Sequence, residues 1–426
     1  MRTASDRRAD LQVRRSTPGL KTRPPYWLFV AALIAGLAPR IHAQAPAPLT
    51  LDGAITRALA SNRTLTAARL LKPVAAAGLG IAQERLNPEL TYEAEKELPH
   101  QAIGFALPIE LGGKRARRMD VANAGILATD AEIARTIADV QNDVRRTYFT
   151  LVAAERRLAM ANESRALAAR VRDTANARVQ AGDVPRLELV QTQIGLSDAD
   201  QDVTAANGEV TAARAELNVL IGQSTDAPIV LADALDAVPL RPLPDLIGQV
   251  REANSTIVAL DRRIAEQVAK RALAVAMKKS DLTAGASITY HAEPEFRVGW
   301  RASAGITLPL FTTHQAGVVL EDAELVRLRA ERDATLVTTE AAVTAAFARA
   351  AAAREQVTRF ETEIVPNLQE ADQMVQAGYS AGQTPLITLL TALQQTRESR
   401  RKGLQAALDY QLALADLERA VGTRLR

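Results

Sequence analysis

The sequence predicts a mainly helical, internally duplicated fold that combines four membrane-type β-strands with very long coiled-coil helices. Short motifs return about 200 residues later, which indicates a duplicated unit. Gly-Phe-Ala-Leu-Pro at 104–108 returns as Gly-Ile-Thr-Leu-Pro at 305–309, and residues 215–222 return at 415–422. Each half then has the same order of parts: two alternating stretches, a long helix, a Gly/Pro turn and a second long helix. This order is typical of a conduit and not of an enzyme.

Residues 1–43 predict a signal peptide. Basic residues as far as Arg23 precede an apolar run from Tyr26 to Ala38, and Ile41-His42-Ala43 offers a cleavage site. The apolar run covers about 13 residues, whereas a helix needs about 20 to cross a bilayer. We therefore expect Sec export and cleavage instead of a membrane anchor, and we expect no membrane-spanning helix after Ala43.

The composition limits the possible functions. The chain has no cysteine, so we expect neither a lipidated N-terminus nor disulfides nor thiolate metal sites. Only 4% of the residues are aromatic, and the body has the composition of coiled coils. The net charge is +3, but the predicted leader carries the basic excess. A mature chain without a basic stripe gives no support for nucleic-acid binding.

Four alternating stretches predict strands at 88–96, 101–111, 282–292 and 295–310. In the last stretch every second residue from Phe296 to Leu310 is apolar. Such strands suit a membrane barrel, which needs ~9 to 11 residues per strand, although hairpins of a soluble sheet would alternate equally well. The signal peptide and the lack of other strands to cover these faces favour the membrane. Since a closed barrel takes about eight strands, several copies must contribute, and three copies would supply twelve.

Stretches with few prolines predict long helices at 114–181, 185–222, 315–381 and 385–422, the third interrupted by Pro366. A helix over 114–181 would be about 100 Å long. Apolar residues spaced by three and four, as from Ile133 to Leu151, and by seven, as from Leu189 to Leu217, predict coiled-coil packing.

Matching turns connect the helices of each pair, Gly182-Asp183-Val184-Pro185 in the first half and Gly382-Gln383-Thr384-Pro385 in the second. Glycine suits the position after a helix end and proline the first helical position, and we expect Thr384 to cap the helix that follows. Both turns are expected at the end farthest from the membrane, where they would ring the mouth of a tube.

Three motifs carry a family resemblance: residues 49–55 (Leu-Thr-Leu-Asp-Gly-Ala-Ile), Asn87-Pro88-Glu89-Leu90, and residues 108–115 (Pro-Ile-Glu-Leu-Gly-Gly-Lys-Arg). Together with the duplication and the helix lengths, they make the sequence similar to the TolC-type outer membrane efflux protein family. Residues 108–115 are most similar to its heavy-metal efflux branch, the CzcC-like and CusC-like proteins. The resemblance covers residues 49–422.

The resemblance implies a homotrimer with a twelve-stranded outer-membrane barrel, a long periplasmic α-barrel and a belt built from residues 49–85, 223–281 and the C-terminus. The first repeat would cover residues 44–222 and the second 223–426. The protein would be the passive exit duct of a tripartite pump, with a periplasmic adaptor (membrane fusion) protein and an inner-membrane RND transporter as partners. We expect no enzymatic activity, no cofactor and no bound metal.

The resemblance also directs attention to the turns. In the best-known family member, paired aspartates just after the second turn narrow the mouth. This sequence has Thr388 and Thr391 at those positions, and Glu188 and Gln191 at the matching positions of the first turn. We expect Glu188 and Asp183 to line the aperture, although a solvated helix start explains both equally well. The full set at the predicted tip is Gly182, Asp183, Pro185, Glu188, Gln191, Gly382, Thr384, Pro385, Thr388 and Thr391. Glu93, Glu95, Arg297 and Arg301 are expected to line the barrel lumen.

Other functions find less support. Gly112-Gly113-Lys114 lacks the remaining residues of a phosphate-binding loop, and no two histidines stand at metal-ligand spacing. An exported hydrolase would need a nucleophile with a base, which the sequence does not offer. Two alternatives stay open: a channel for drug efflux or type I secretion, and a periplasmic coiled-coil adaptor.

Overall fold

The computed structural model describes residues 48–425, so the predicted signal peptide lies outside the described part of the chain. Helices and a single sheet alternate along the chain. In order they are α1 (Leu51–Ser61), α2 (Arg63–Arg69), α3 (Leu71–Gln83), β1 (Glu89–Ala94), β2 (Gln101–Ile109), α4 (Lys114–Ala181), α5 (Arg186–Leu220), α6 (Leu243–Ala253), α7 (Ser255–Met277), β3 (Leu282–Ala292), β4 (Phe296–Ile306), α8 (Gln315–Arg359), a π-helical segment (Phe360–Ile364), α9 (Val365–Ser380) and α10 (Leu386–Val421).

The four strands form one antiparallel sheet in the order β1-β2-β3-β4. Its register aligns the apolar residues across all four strands: Ile103 pairs with Ile288, which in turn pairs with Trp300. Small and polar residues align in the same way on the other face, where Ser287 pairs with Arg301. The sheet therefore has one apolar and one polar face, and within a single chain β1 and β4 each keep an open edge.

The strand β4 ends at Ile306, before the end of the alternating stretch that predicted a strand to 310. The N–H of Leu310 donates to the carbonyl of Leu308 at 2.9 Å, so the chain turns locally there. Pro309 has no N–H with which to continue a ladder. Alternation beyond Ile306 therefore reflects an exposed apolar connection to α8 and not a strand.

The first long helix of each half differs from its counterpart. Helix α4 runs without a break through all 68 of its residues. In the second half α8 ends at Arg359 and is followed by the π-helical segment and α9, with Pro366 in the first turn of α9. A proline inside a helix removes one backbone donor and its ring clashes with the preceding turn. The interruption expected at Pro366 is therefore present, and it takes the form of a widened turn just before the proline.

A belt surrounds the middle of the long helices and contains most of the buried core. One apolar cluster of the belt includes Val144, Phe149 and Leu217, and a second includes Val343 and Leu417. In each half of this belt, the side-chain amide of one asparagine connects the start of one helix to the end of another. Asn62 caps α2 and donates to the carbonyl of Leu220, while Asn254 caps α7 and donates to the carbonyl of Ala420.

The helices pack side by side in a row that follows the order of the strands. On the sheet side of the belt, α3 packs on α4, α4 on α7, and α7 on α8. On the other side, α5 packs on α4, α4 on α10, and α10 on α8 and α9. One flank of the chain therefore presents β1, α3 and α5, and the opposite flank presents β4, α8 and α9.

One stretch after Ala43 passes the length and composition test for a membrane span, although the sequence analysis expected none there. Among the described residues, Arg63–Gln83 is long and apolar enough to cross a membrane, and only 11% of its most apolar window is buried. The reason is the run of small and aliphatic residues in α3, which lies along α4. Length and composition alone are weak grounds for a span, because an apolar face that awaits a partner passes the same test.

Candidate functional site: the turn end of the helical hairpins

Two turns of nearly identical geometry close the helical hairpins. Gly182 and Gly382 end their helices in the left-handed region, with φ of 81° and 76°, which glycine adopts without strain. In the first turn the N–H of Asp183 reaches back to the carbonyl of Arg178, and in the second the N–H of Gln383 reaches back to that of Gly378. Pro185 and Pro385 then precede the returning helices with φ of −64° in both cases.

Thr384 does not cap α10, contrary to the expectation from sequence. The residue at the cap position is Pro385, and no side chain accepts a hydrogen bond from the first turn of α10. The backbone N–H of Thr384 instead donates to the carbonyl of Gly378 at 3.1 Å. Thr384 stands one residue before the cap position and belongs to the turn itself.

A buried tyrosine links the two hairpins beside these turns. Tyr379, near the end of α9, is 2% exposed and packs with Val171 of α4 and with Leu386 and Leu389 of α10. The guanidinium carbon of Arg178 lies 5.2 Å from the centre of its ring, a cation–π distance. Residues of both halves therefore meet at this one aromatic ring.

Glu188, in the first turn of α5, adds a negative charge near this contact. Its Oε2 atom is buried and has no hydrogen-bond partner within residues 48–425. Burial raises the pKa of the Tyr379 hydroxyl, and the negative charge of Glu188 adds to the rise. Arg178, Glu188 and Tyr379, which we name the tip cluster, thus place a cation and an anion around one phenol.

The structure separates the other residues expected at the tip. Asp183 is exposed in its turn, and Gln191, Thr388 and Thr391 are exposed on the helices that follow. The hydroxyl of Thr391 donates to the carbonyl of Ile387 within its own helix. Of the two acids expected at the aperture, Glu188 is the one whose charge raises the pKa of Tyr379, in the other half of the chain.

Sequence reasoning missed Arg178 and Tyr379. A signal was present, because Tyr379 stands three residues before Gly382 where the first half has Val179 before Gly182. A single large aromatic at one copy of a repeated turn marks a contact that the other copy does not make.

The residues predicted for the barrel lumen lie on or near the polar face of the sheet. Glu93 pairs with Ala102, and Arg301 pairs with Ser287, both on that face. Arg297 has the same strand parity as Arg301. Glu95 lies beyond the end of β1, where its N–H donates to the carbonyl of His100 at 2.9 Å.

The described residues contain no group of three or more His, Cys, Asp or Glu side chains arranged to hold a metal ion. Side chains of opposite charge pair with one another instead, as Arg145 does with Glu418 between α4 and α10. The geometry is that of long paired helices joined to a four-stranded sheet with one apolar and one polar face, and strands of a transmembrane barrel have two such faces.

Comparison with known proteins identifies the family. Residues 54–223 and 246–423 both match the outer membrane efflux protein family, and the chain belongs to it. It is 26% identical to the cobalt-zinc-cadmium resistance protein CzcC of Cupriavidus metallidurans over 91% of this chain and 93% of the relative. It is 30% identical to the nickel-cobalt-cadmium resistance protein NccC of Alcaligenes xylosoxydans xylosoxydans, over 39% of this chain and 40% of the relative. These relatives fit the heavy-metal branch of the family.

Solved structures confirm the fold. The channel CusC superposes with a TM-score of 0.73 at 17% identity, covering 88% of this chain and 92% of its own. VceC of Vibrio cholerae superposes with a TM-score of 0.71 at 16% identity, covering 88% and 97%. The predicted fold of one chain, mainly helical with a small antiparallel sheet as in TolC-like channels, is therefore confirmed, and membership of a channel family confirms that the protein is not an enzyme.

Proposed function

We propose that this protein is the homotrimeric exit duct of a tripartite RND-type pump that exports heavy-metal cations and closes at its periplasmic tip. The observation that carries the proposal is the sheet with two open edges. Unpaired strand edges are not tolerated in lipid, because each free N–H and C=O costs several kcal/mol there. Strand β4 of one copy must therefore pair with β1 of the next, and three copies close twelve strands around the polar face.

The helices support the same ring. Exposed aliphatic residues lie along both flanks of the chain: Val74 and Ile81 of α3 are 67% and 68% exposed, and Val319 and Val326 of α8 are 57% and 65% exposed. Helix α3 runs toward the sheet and α8 runs away from it. Ile81 and Val319 therefore lie near the sheet, and Val74 and Val326 lie about two turns further from it. The two apolar stripes are at matching heights, as a contact between neighbouring copies requires.

The proposed cargo is a divalent heavy-metal cation, which rests on the similarity to CzcC and NccC. The duct itself needs no metal site for this task, since selection by the inner-membrane transporter and a periplasmic adaptor would precede entry. The proposed location is the outer membrane, with Sec export of an unlipidated chain and a large periplasmic part. Channels for drug efflux or type I secretion share this duct, so the cargo is decided by experiment.

The tip cluster is proposed to hold the mouth closed. Arg178 belongs to the first hairpin and Tyr379 to the second, so their cation–π contact resists separation of the hairpins. Asp183, Gln191, Thr388 and Thr391 are exposed around the same turns and are proposed to border the aperture. Glu93, Glu95, Arg297 and Arg301 are proposed to border the lumen of the barrel.

Two experiments test the proposal. Membrane fractionation and native mass measurement should give an outer-membrane trimer, and a soluble monomer would contradict it. Deletion of the gene should raise sensitivity to cobalt, zinc or cadmium by at least tenfold and leave sensitivity to hydrophobic drugs unchanged. Increased sensitivity to drugs alone would reassign the cargo while leaving the duct intact.

The closure of the tip is tested in planar bilayers. We expect the double variant Arg178→Ala and Tyr379→Ala to raise single-channel conductance several-fold, because the contact between the hairpins is lost. The control is Gln193→Ala, which removes an exposed glutamine of α5 that is not among the residues proposed to border the aperture. Equal conductance of the double variant and the unmodified protein would show that the tip cluster does not close the mouth.

A further inference from the structure

The second hairpin contains a defect that the first lacks. The N–H of Val365 donates to the carbonyl of Phe360, five residues back, which is the hydrogen bond of a π-helix. The side-chain amide of Asn367 donates to the carbonyl of Glu363 at 2.8 Å, so a side chain satisfies part of the disturbed ladder. π-Helical turns and prolines are among the few causes of sharp bends in helices. At the distance from Gly182 that Pro366 has from Gly382, the first hairpin has Ala166 in an uninterrupted helix.

An aromatic ring rests on a glycine directly across from this defect. Phe360 begins the π-helical segment, and a Cβ atom added to Gly403 of α10 would overlap its ring. The equivalent position of α5, counted from Gly182, is Val203. Only a glycine leaves room for the ring at this helix contact, so the large residue and the small residue fit each other.

The ring also has space beside it. A surface cavity of about 390 Å³ adjoins Phe360 and is lined by Gln356, Ile364, Ser399 and Lys402. A close-packed interior would hold the ring in one position, whereas an adjoining cavity provides a second position without opening the core. The contact of Phe360 with Gly403 can therefore be made or released.

The helix beyond the defect contributes little to the buried core of the described residues. No residue from 358 to 378 is fully buried, and Tyr379 at the tip is the next buried residue after Val357. Segments with few buried apolar contacts open with the lowest free energy in a folded protein. The stretch between the π-helical segment and the tip cluster thus has no fully buried residue, and Asp372, which accepts hydrogen bonds from Thr396 and Arg400, ties it to α10 of the same hairpin.

We infer that the π-helical segment and the Phe360–Gly403 contact form a pivot at which the tip end of the second hairpin swings, while the first hairpin moves as one rigid rod. A bend of about 20° at Ile364 would move Gly382 by roughly 9 Å, since the intervening helix is about 27 Å long. Such a swing separates Tyr379 from Arg178 and Glu188. The inference rests on the proposed function in one respect, namely that the swing opens the mouth of the channel.

Spin labels test the pivot on the purified, full-length protein. The chain has no cysteine, so Arg186→Cys and Ile387→Cys introduce one label at the exposed start of each returning helix. Assemblies diluted with unlabelled chain report the distance within one copy. We expect a broad distance distribution, a narrower one after Pro366→Ala, and a shift of the mean by at least 4 Å after Gly403→Ala, which displaces the ring. Val203→Ala is the matched control and should change nothing.

Hydrogen exchange provides a test that needs no variant. We expect backbone amides at 360–367 to exchange at least tenfold faster than those at 160–167 of the same protein. Equal exchange, or distance distributions that are the same in all four proteins, would overturn the pivot. Helical circular dichroism and assembly size identify a variant that has misfolded. None of these measurements depends on transport. A channel that conducts but shows no pivot would contradict this inference alone, and a protein that shows the pivot but does not conduct would contradict the proposed function alone.

Discussion

The two halves of the chain are alike at the belt and unlike at both ends of their long helices. At the belt, Asn62 and Asn254 make the same capping contacts and the same reach to a helix-ending carbonyl. At the tip, only the second half supplies a buried tyrosine and only the first supplies its charged neighbours. Duplication is thus retained where a buried backbone group must be satisfied, and it is lost where each half contacts a different surface.

The junctions between strand and helix show the same divergence. In the first half Lys114, 5% exposed, donates to Asp281 at 2.7 Å, and two left-handed glycines precede it. In the second half Gln315 accepts a hydrogen bond from Lys278 at 2.7 Å at an exposed site. Both junctions are tied to the segment between α7 and β3, but one tie is an ion pair between a buried lysine and a partly exposed aspartate, and the other is an exposed hydrogen bond.

The largest expected effect tests the shared helix ends at the belt. Gly422→Ala and Gly222→Ala place a side chain at φ of 88° and 73°, which costs about 1 to 2 kcal/mol before any overlap. The new methyl group at 422 would also overlap the backbone of Ala253, whereas that at 222 meets Ser61 at 2.8 Å. We expect the free energy of unfolding to fall by about 3 kcal/mol or more at 422 and by somewhat less at 222.

Chemical denaturation followed by circular dichroism measures both changes. The control is Gly248→Ala in α6, where an added methyl group meets nothing within 4 Å. This substitution should leave stability unchanged or raise it by up to about 1 kcal/mol. If Gly422→Ala left the free energy of unfolding unchanged while Gly222→Ala lowered it, the two helix ends would not be equivalent.

The next effect tests the paired amides. Asn62→Ala and Asn254→Ala each remove a helix cap and a donor to a helix-ending carbonyl, so each should cost about 2 kcal/mol. Equal losses of unfolding free energy in chemical denaturation would support the equivalence of the two halves at the belt. A conservative control is Asn→Asp at each position, which keeps the acceptor for the cap and removes the donor. A loss at one position only would show that the halves are not equivalent even at the belt.

The smallest effect tests the two junctions. Lys114→Ala leaves the partly exposed Asp281 without its cation, and after allowance for solvent screening we expect a loss of about 1 to 2 kcal/mol. Gln315→Ala should cost under about 0.5 kcal/mol, since its hydrogen bond is exposed. Thermal unfolding of the two variants side by side measures the difference, and equal losses would remove the asymmetry between the junctions.

Much of the architecture could be read from the sequence. Alternation from Phe296 and the heptad spacing from Leu189 to Leu217 are local patterns, and each follows from the geometry of a strand or a helix. Local patterns also placed the turns, because Gly182 and Gly382 stand where a left-handed residue is required. The same patterns predicted β4 to extend to residue 310 and Thr384 to cap α10, and both predictions are wrong. Alternation and residue preference do not show which hydrogen bonds form.

The sequence by itself determined the periodicities, the duplication and the turn positions, because those depend on residues that are neighbours along the chain. Only the tertiary structure decided that Tyr379 meets Arg178 and Glu188, that Phe360 rests on Gly403, and that Lys114 pairs with Asp281. These contacts join residues far apart in sequence, and their positions depend on the register between packed helices. Coiled-coil spacing constrains which face is buried but leaves the register between different helices to packing.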